Sequence, residues 1–384
     1  MVHRIIEWSL RNRFIVLVMI AGLFVWGAIS VKRNPIDAIP DLSENQVIVF
    51  TEWMGRGPQL IEDQVTYPLV TNLQGLPRIK YVRGTSMFGM SFIYIIFEDD
   101  VDIYWARERV LERLSTISRN LPEGVNPQLG PDGTGVGHIL WYTLDAPGMD
   151  LGEQRALQDW YIKFGLQNVP GVSEIASFGG FQKQYQITLD PNKLLYYNLS
   201  VGNVINAVRL NNNESGGRKF ELSDIGYVVK TSGFLKSVEE IQNIPVKTSN
   251  GIAVRIADIA AVQMTGETRL GIFDQDGEGE RVGGIVVMRY GENAAEVIEN
   301  VKAKMLEVAK GFPQGVKFDI VYDRGDLIKE SISSIKNTLI EEMIVVSLIV
   351  IVFLFHWRSA VSIIIQIPIT IAISFILLNA FGIS

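Results

Sequence analysis

The 384-residue chain contains no cysteine. That excludes a disulfide framework, a thiolate nucleophile and any thiolate metal site. Histidine is nearly as scarce: the three, at positions 3, 138 and 356, are too scattered to suggest a local ligand set. Basic residues are the minority. Thirty-five Lys and Arg stand against 42 Asp and Glu, a net charge of −7, which argues against a nucleic-acid partner. No Walker sequence occurs, so nucleotide hydrolysis through a P-loop is excluded. Gly133-Thr134-Gly135-Val136-Gly137 fails as a dinucleotide loop because His138 stands at the next required glycine; the run reads as a flexible link between two domains. Ser333-Ser334-Ile335-Lys336 matches S-x-x-K, but neither partner motif of that chemistry follows. Asp274-Gln275-Asp276-Gly277-Glu278-Gly279-Glu280 has its glycine at the fourth rather than the sixth position of a calcium loop, and reads as a solvated acidic turn.

Charge is also missing from three long runs, and there the absence is informative. Residues 14–31 are uncharged and bounded by Arg11 and Arg13 on one side and Lys32 and Arg33 on the other. At ~1.5 Å per residue this run reaches roughly 27 Å, close to a bilayer's hydrocarbon core. Residues 343–355 form a second run, extended past Glu341 and Glu342 by residues 338–340, and residues 360–381 a third, with Gln366 and Pro368 inside it. His356-Trp357-Arg358-Ser359 is the turn between them. Three membrane helices are expected, with a large polar region between the first and second. Arg4, Arg11 and Arg13 precede the first span and Arg358 lies in the turn, so the positive-inside rule puts the large region outside the cytoplasm. A rival reading of the first run is a cleaved signal peptide, with Ala28-Ile29-Ser30 as the small-x-small site. None of the runs holds an ionisable residue. A proton-coupled pump needs such relays in the membrane, so any coupling residues are expected beyond Ser384, in a longer protein.

The polar region repeats itself. Gly75, Leu76, Ile79, Val82 and Gly84 align with Gly171, Val172, Ile175, Phe178 and Gly180 at an offset of 96; Asp102, Val110, Leu114, Pro122, Gly124 and Val125 align with Asn293, Val301, Met305, Pro313, Gly315 and Val316 at an offset of 191. The jump means that about 95 residues entered the second copy. The first copy reads strand 47–53, helix 58–73, strand 79–84, strand 92–97, helix 102–118, strand 125–129, the βαββαβ order of a ferredoxin-like sandwich. The second begins with strand 139–144 and helix 152–167 and resumes at 284–290. In the insert, Tyr185, Ile187 and Leu189 alternate as in a strand, Asp190 and Ser200 open short helices, and residues 211–218 read as a polar loop. The expected fold is therefore α/β plus transmembrane α. Its segments are 1–33 (an interfacial stretch and the first span), 34–133 (first sandwich), 134–180 and 283–325 (halves of the second), 181–282 (inserted domain), 326–358 and 359–384 (second and third spans).

Metal chemistry has one sequence candidate. Met87 and Met90 flank an expected hairpin, and two thioethers suit a soft cation such as Cu(I), though methionine more often fills gaps on an apolar surface.

Several stretches together resemble one family. Asn34-Pro35-Ile36-Asp37-Ala38-Ile39-Pro40-Asp41-Leu42, Gln64-Val65-Thr66-Tyr67-Pro68-Leu69, residues 97–107 (FEDDVDIYWAR), residues 129–137 (LGPDGTGVG), Ser177-Phe178-Gly179-Gly180 and Leu339-Ile340-Glu341-Glu342 resemble the heavy-metal branch of the resistance-nodulation-division efflux pumps, copper/silver pumps in particular. The resemblance covers essentially the whole chain. It implies a bacterial inner-membrane homotrimer that exchanges protons for Cu(I) or Ag(I), working with a periplasmic adaptor and an outer-membrane channel, without a bound cofactor. It makes the sandwiches porter subdomains with the insert as docking domain. The family's relay carboxylates and methionine cluster lie outside this chain, and Met87 and Met90 match none of its metal positions. Two other classes remain open: the membrane subunit of an ABC-type exporter, and a membrane-tethered interaction protein.

Overall fold

The computed structural model describes residues 2–33, 36–222, 225–231, 233–249, 251–269, 271–354 and 357–381. Asn34, Pro35, Phe355 and His356, used above, lie outside them, as do residues 382–384. Helix α1 (Val2–Arg11) precedes α2 (Arg13–Arg33). The first repeat follows as β1 (Gln46–Glu52), helix α3 in two segments (Pro58–Ile61 and Tyr67–Leu73) joined by a π turn (Glu62–Thr66), β2 (Ile79–Met87), β3 (Met90–Phe97), α4 (Ile103–Ile117) and β4 (Asn126–Leu129). The sheet order is β2-β3-β1-β4, with every neighbouring pair antiparallel.

Period two decides which face of this sheet is covered. Val47, Val49 and Thr51 of β1 and Ser91, Ile93 and Ile95 of β3 are buried; their alternates are partly or largely exposed, except Ile96, which is buried as well. Ile61, Val65, Leu69 and Leu73 of α3 and Ala106, Val110, Leu114 and Ile117 of α4 complete this core. Each large buried side chain contributes roughly 1.5–3 kcal/mol relative to exposure. A strict four-residue spacing along α3 drifts around a 3.6-residue helix; the wider π turn takes up the drift and keeps the four on one face. Asp102 caps α4 by accepting the Trp105 N–H at 2.8 Å.

The second repeat begins with β5 (His138–Asp145), helix α5 in two segments (Leu151–Leu157 and Lys163–Gln167) around another π turn (Gln158–Ile162), and β6 (Val172–Phe178). After β6 come β7 (Lys183–Leu189), α6 (Pro191–Tyr196), α7 (Val201–Asn211), β8 (Ser215–Leu222), β9 (Ile225–Thr231), α8 (Val238–Gln242), β10 (Pro245–Ser249), β11 (Ile252–Arg255), α9 (Ile256–Ile259) and β12 (Ala260–Gly266). The repeat then resumes with β13 (Gly283–Met288), α10 (Ala294–Val308) and β14 (Lys317–Asp323), and the chain continues through α11 (Arg324–Leu354) and α12 (Trp357–Phe381). The second four-stranded sheet runs β14-β5-β13-β6, again antiparallel throughout. The π turns start at Glu62 and Gln158, and α4 and α10 start at Ile103 and Ala294, the same offsets of 96 and 191 as the sequence alignment. Gly124 and Gly315 turn into β4 and β14 at φ of +85° and +91°, where a side chain would be strained.

Residues 148–157 and 179–282 form a compact unit separate from the rest. Its strands pair as β12–β7, β8–β9 and β10–β11. Leu194, Val204, Ile241, Ile256 and Ile259 form its core. Asp190 caps α6, and Ser200 and Asn203 form a capping box on α7.

Three expectations need correction. The glycine run at 133–137 is packed rather than flexible: a Cβ on Gly133 would stand 2.6 Å from Val287 Cγ1, and the Met288 N–H donates to the Gly137 carbonyl at 2.7 Å. The polar loop expected over 211–218 is strand from Ser215 onward. The acidic turn is braced as well as solvated: Asp274 accepts the N–H groups of Gly277 and Gly279, and Glu280 is paired with Arg269 and takes the Gly180 N–H.

Candidate functional site

Two helices among the described residues are long and apolar enough to cross a membrane, over Arg13–Val31 and Ile364–Phe381, rather than the three expected. The difference lies in α11. Its first half carries Asp326, Lys329, Glu330 and Lys336, and Glu341 and Glu342 interrupt the approach to its apolar end, which is described only to Leu354. Helices α2 and α12 meet at small residues: a Cβ on Gly27 would stand 2.5 Å from Ala372 Cβ, so only glycine permits this approach. Within α12 the Thr370 hydroxyl donates to the Gln366 carbonyl at 3.0 Å, and Ser374 donates to Thr370 at 3.1 Å.

At the foot of α11, Arg324 is a buried cation. Its side chain is 3% exposed and its Nη1 donates to Asp37 Oδ2 at 2.9 Å. The other Asp37 oxygen accepts the N–H groups of Ala38 and Ile39. Sequence reasoning used Asp37 only as part of a recognisable string. Its partner lies 287 positions away, and no local pattern could have paired them. Next to it, Asp323 is ion-paired with Lys302 and takes the Gly325 N–H at 2.8 Å.

The joint between the repeats centres on Asp132. Its carboxylate accepts from the Ser173 and Tyr104 hydroxyls and lies 3.6 Å from Arg289 Nε. Burial works to raise its pKa, but the Ser173 hydrogen bond and Arg289 outweigh it and hold the carboxyl below its ordinary value. Burial and the same carboxylate push the Tyr104 phenol upward. A cavity of about 290 Å³ opens beside this joint, lined by Ser43, Glu44, Asn45, Asp99, Arg107 and Asp132 among others.

The two sequence-predicted methionines do come together. Met87 and Met90 are register partners across the Phe88-Gly89 turn that links β2 to β3. A third, Met54, joins them: its Sδ lies 3.1 Å from where a Cβ on Gly89 would stand. Met54 and Met87 are about half exposed and Met90 is partly buried. His138 is exposed at the start of β5, edge-on to Trp141. Among the described residues no three His, Cys, Asp or Glu side chains converge as a metal-holding group.

Known proteins match this arrangement from end to end. Residues 5–384 match the AcrB/AcrD/AcrF family. The chain is 44% identical to the cation efflux system protein CusA of Escherichia coli K12, and equally to the putative cation efflux system protein SilA of Salmonella typhimurium; each match covers all of this chain and 37% of the relative. It is 36% identical over 98% of its length to the cobalt-zinc-cadmium resistance protein CzcA of Cupriavidus metallidurans. A crystal structure of a heavy metal efflux pump superposes over 99% of this chain and 38% of that one, with a TM-score of 0.90 at 31% identity. The chain thus spans a little over a third of the length of these relatives, and it belongs to the AcrB/AcrD/AcrF family of transporters, in its heavy-metal cation-efflux branch.

Proposed function

We propose that this chain works within a longer inner-membrane transporter that exports Cu(I) or Ag(I) in exchange for protons. In this reading α11 supplies a third membrane helix, and the four-stranded units are ferredoxin-like porter sandwiches facing the periplasm. Residues 181–282 are the docking domain. The assembly is a homotrimer joined to a periplasmic adaptor and an outer-membrane channel. The observation that carries the reading is similarity along the whole of this chain to cation efflux proteins at 44% identity, supported by a closely similar backbone in part of a heavy metal efflux pump. The apolar helices α2 and α12 hold no ionisable residue between Phe14 and Val31 and between Ile364 and Phe381, so in this reading neither of them carries the proton relay.

The CzcA relatives motivate a second reading, export of divalent Co, Zn or Cd. One panel separates the two. The gene containing this chain, expressed with its adaptor and channel partners in an efflux-deficient strain, should raise tolerance to copper and silver and leave zinc, cobalt and cadmium tolerance unchanged. A protonophore should abolish the gain. Tolerance to the divalent ions alone would establish the second reading; tolerance insensitive to the protonophore would refute antiport.

A further inference from the structure

Soft monovalent cations prefer thioether sulfur, and the β2–β3 turn together with the turn after β1 offers three. The register fixes their common side. Glu52 pairs with Met90 and Met90 pairs with Met87, so these three side chains leave the same face of the sheet. Met54 follows in the turn after β1: the Trp53 N–H still bonds across to the Gly89 carbonyl at 2.7 Å, and Met54 Sδ lies 3.1 Å from where a Cβ on Gly89 would stand, which sets its sulfur beside the hairpin turn. The face shared by Glu52, Met87 and Met90 is the one opposite the helices, because the intervening residues Thr51 and Ser91 are buried against them. Trp53, on the other side, packs against the core and holds the Arg56 guanidinium 5.0 Å from its ring centroid. Gly89, at φ +72°, has no side chain to separate Met54 from the turn.

Packing does not account for this cluster. Met54 is 53% exposed and Met87 51%, and Glu52 is the register partner of Met90 on the neighbouring strand. We propose that Met54, Met87 and Met90 form a surface thioether site that takes Cu(I) or Ag(I), with the Glu52 carboxylate offsetting the cation's charge. The proposal rests on the copper/silver reading for its biological meaning, though not for its chemistry. In that setting the site would collect the cation from solvent at the edge of the first sandwich.

Silver(I) is the probe, since it is redox-silent. The purified chain, labelled with 13C at the methionine methyl groups, is titrated with Ag(I) and followed by NMR and equilibrium dialysis. The methyl signals of Met54, Met87 and Met90 should shift together with the first bound ion. The M54L/M87L/M90L triple variant keeps side-chain volume and removes sulfur, an exchange that packed proteins tolerate well. Its affinity for that ion should fall at least 10- to 100-fold, the range that loss of a mere supporting partner costs a metal site. Circular dichroism checks that the variant is folded, and M54L alone, less disruptive still, should weaken binding in the same direction. Unchanged affinity in the folded triple variant, or shifts confined to other methionines, would overturn the proposal. The tolerance panel fails independently: silver bound at these sulfurs by a protein that confers no silver tolerance would leave the site standing and remove the function.

Discussion

The two βαββαβ halves carry the same local devices at the same spacing and differ in what fills the step from their second strand to their third. In the first half that step is the two-residue turn Phe88-Gly89 between Met87 and Met90. In the second it is residues 179–282, a unit with its own core, and yet Phe178 and Gly283 at its two ends still pair across the sheet. A β-hairpin accepts either filling because the register is held by the strands and by the buried face on each side. The halves also end differently. Strand β4 stops at Leu129, with the Gly130 N–H bonded to Ile48, whereas β14 runs without a break into α11 and toward the apolar helices. The shared parts build a sheet; the unshared parts attach it to something.

The comparison breaks most sharply if the insert is removed. Replacing residues 179–282 with a two-residue turn should leave a cooperative urea transition, since Phe178 and Gly283 are already paired, while tolerance conferred by the longer protein falls to background. A non-cooperative transition would show that the second half needs its insert to fold. The attachment at α11 comes next. Asp37→Ala strands the buried Arg324 cation, which in other proteins costs about 3–5 kcal/mol. The neighbouring Asp41→Ala loses one exposed bond, to the Ser43 N–H, and should change unfolding by about 0.5 kcal/mol or less. Similar losses for the two would mean that Arg324 finds another partner.

Smaller effects test the shared devices. Each π turn places a polar side chain under its sheet. Thr66 bonds to Ser91 and Ser86, both at 2.8 Å, and Gln158 bonds to Tyr142 at 3.2 Å and to Ser177 at 3.3 Å. Tyr142 is fully buried, and burial pushes its phenol well above its ordinary pKa, so its hydroxyl has no recourse to water. Gln158→Leu should therefore cost about 1–3 kcal/mol, and Thr66→Val about 1 kcal/mol, since Ser86 is only half-buried. Urea titration of the two variants ranks them; the reverse order would place the tighter network in the first half.

Much of this framework was legible in the sequence because it is written in local chemistry. Asp102 and Asn293 announce their helices as caps, Gly124 and Gly315 mark identical turns, and the jump in repeat offset marks the insert. The π turns were legible in principle, since Ile61, Val65, Leu69 and Leu73 recur every four residues, as do Gln158, Ile162 and Leu166, where a plain helix drifts. What stayed hidden depends on contacts between distant segments. Arg324 with Asp37, Asp132 with Ser173, and Met54 with the β2–β3 turn are products of the tertiary fold. The glycines at 133–137 misled for the same reason: they suggest freedom, but here they permit close approach to Val287 and Met288.

The smallest expected effect lies where the halves meet. Asp132 takes hydroxyls from Tyr104 in the first half and Ser173 in the second, and Arg289 adds a cation. Its folded pKa is depressed below the ordinary carboxylate value of 3.8, against the pull of burial. The sign follows from linkage: a carboxylate that releases its proton more readily when folded adds stability that is present above its unfolded pKa and is lost as pH falls through the folded one. The wild-type chain should lose that increment on acidification from about pH 5 toward pH 3 and below. Asp132→Asn keeps the shape; its amide oxygen can accept one of the two hydroxyls while its NH2 faces the oxygen of the other, and it has no charge to lose. Its stability at neutral pH should be slightly lower, and its curve below about pH 5 should be flatter than the wild type's. Urea midpoints measured across that range for both proteins give the difference directly. Parallel acid limbs would show that the joint between the halves is held by hydrogen bonds and packing, without help from the Asp132 charge.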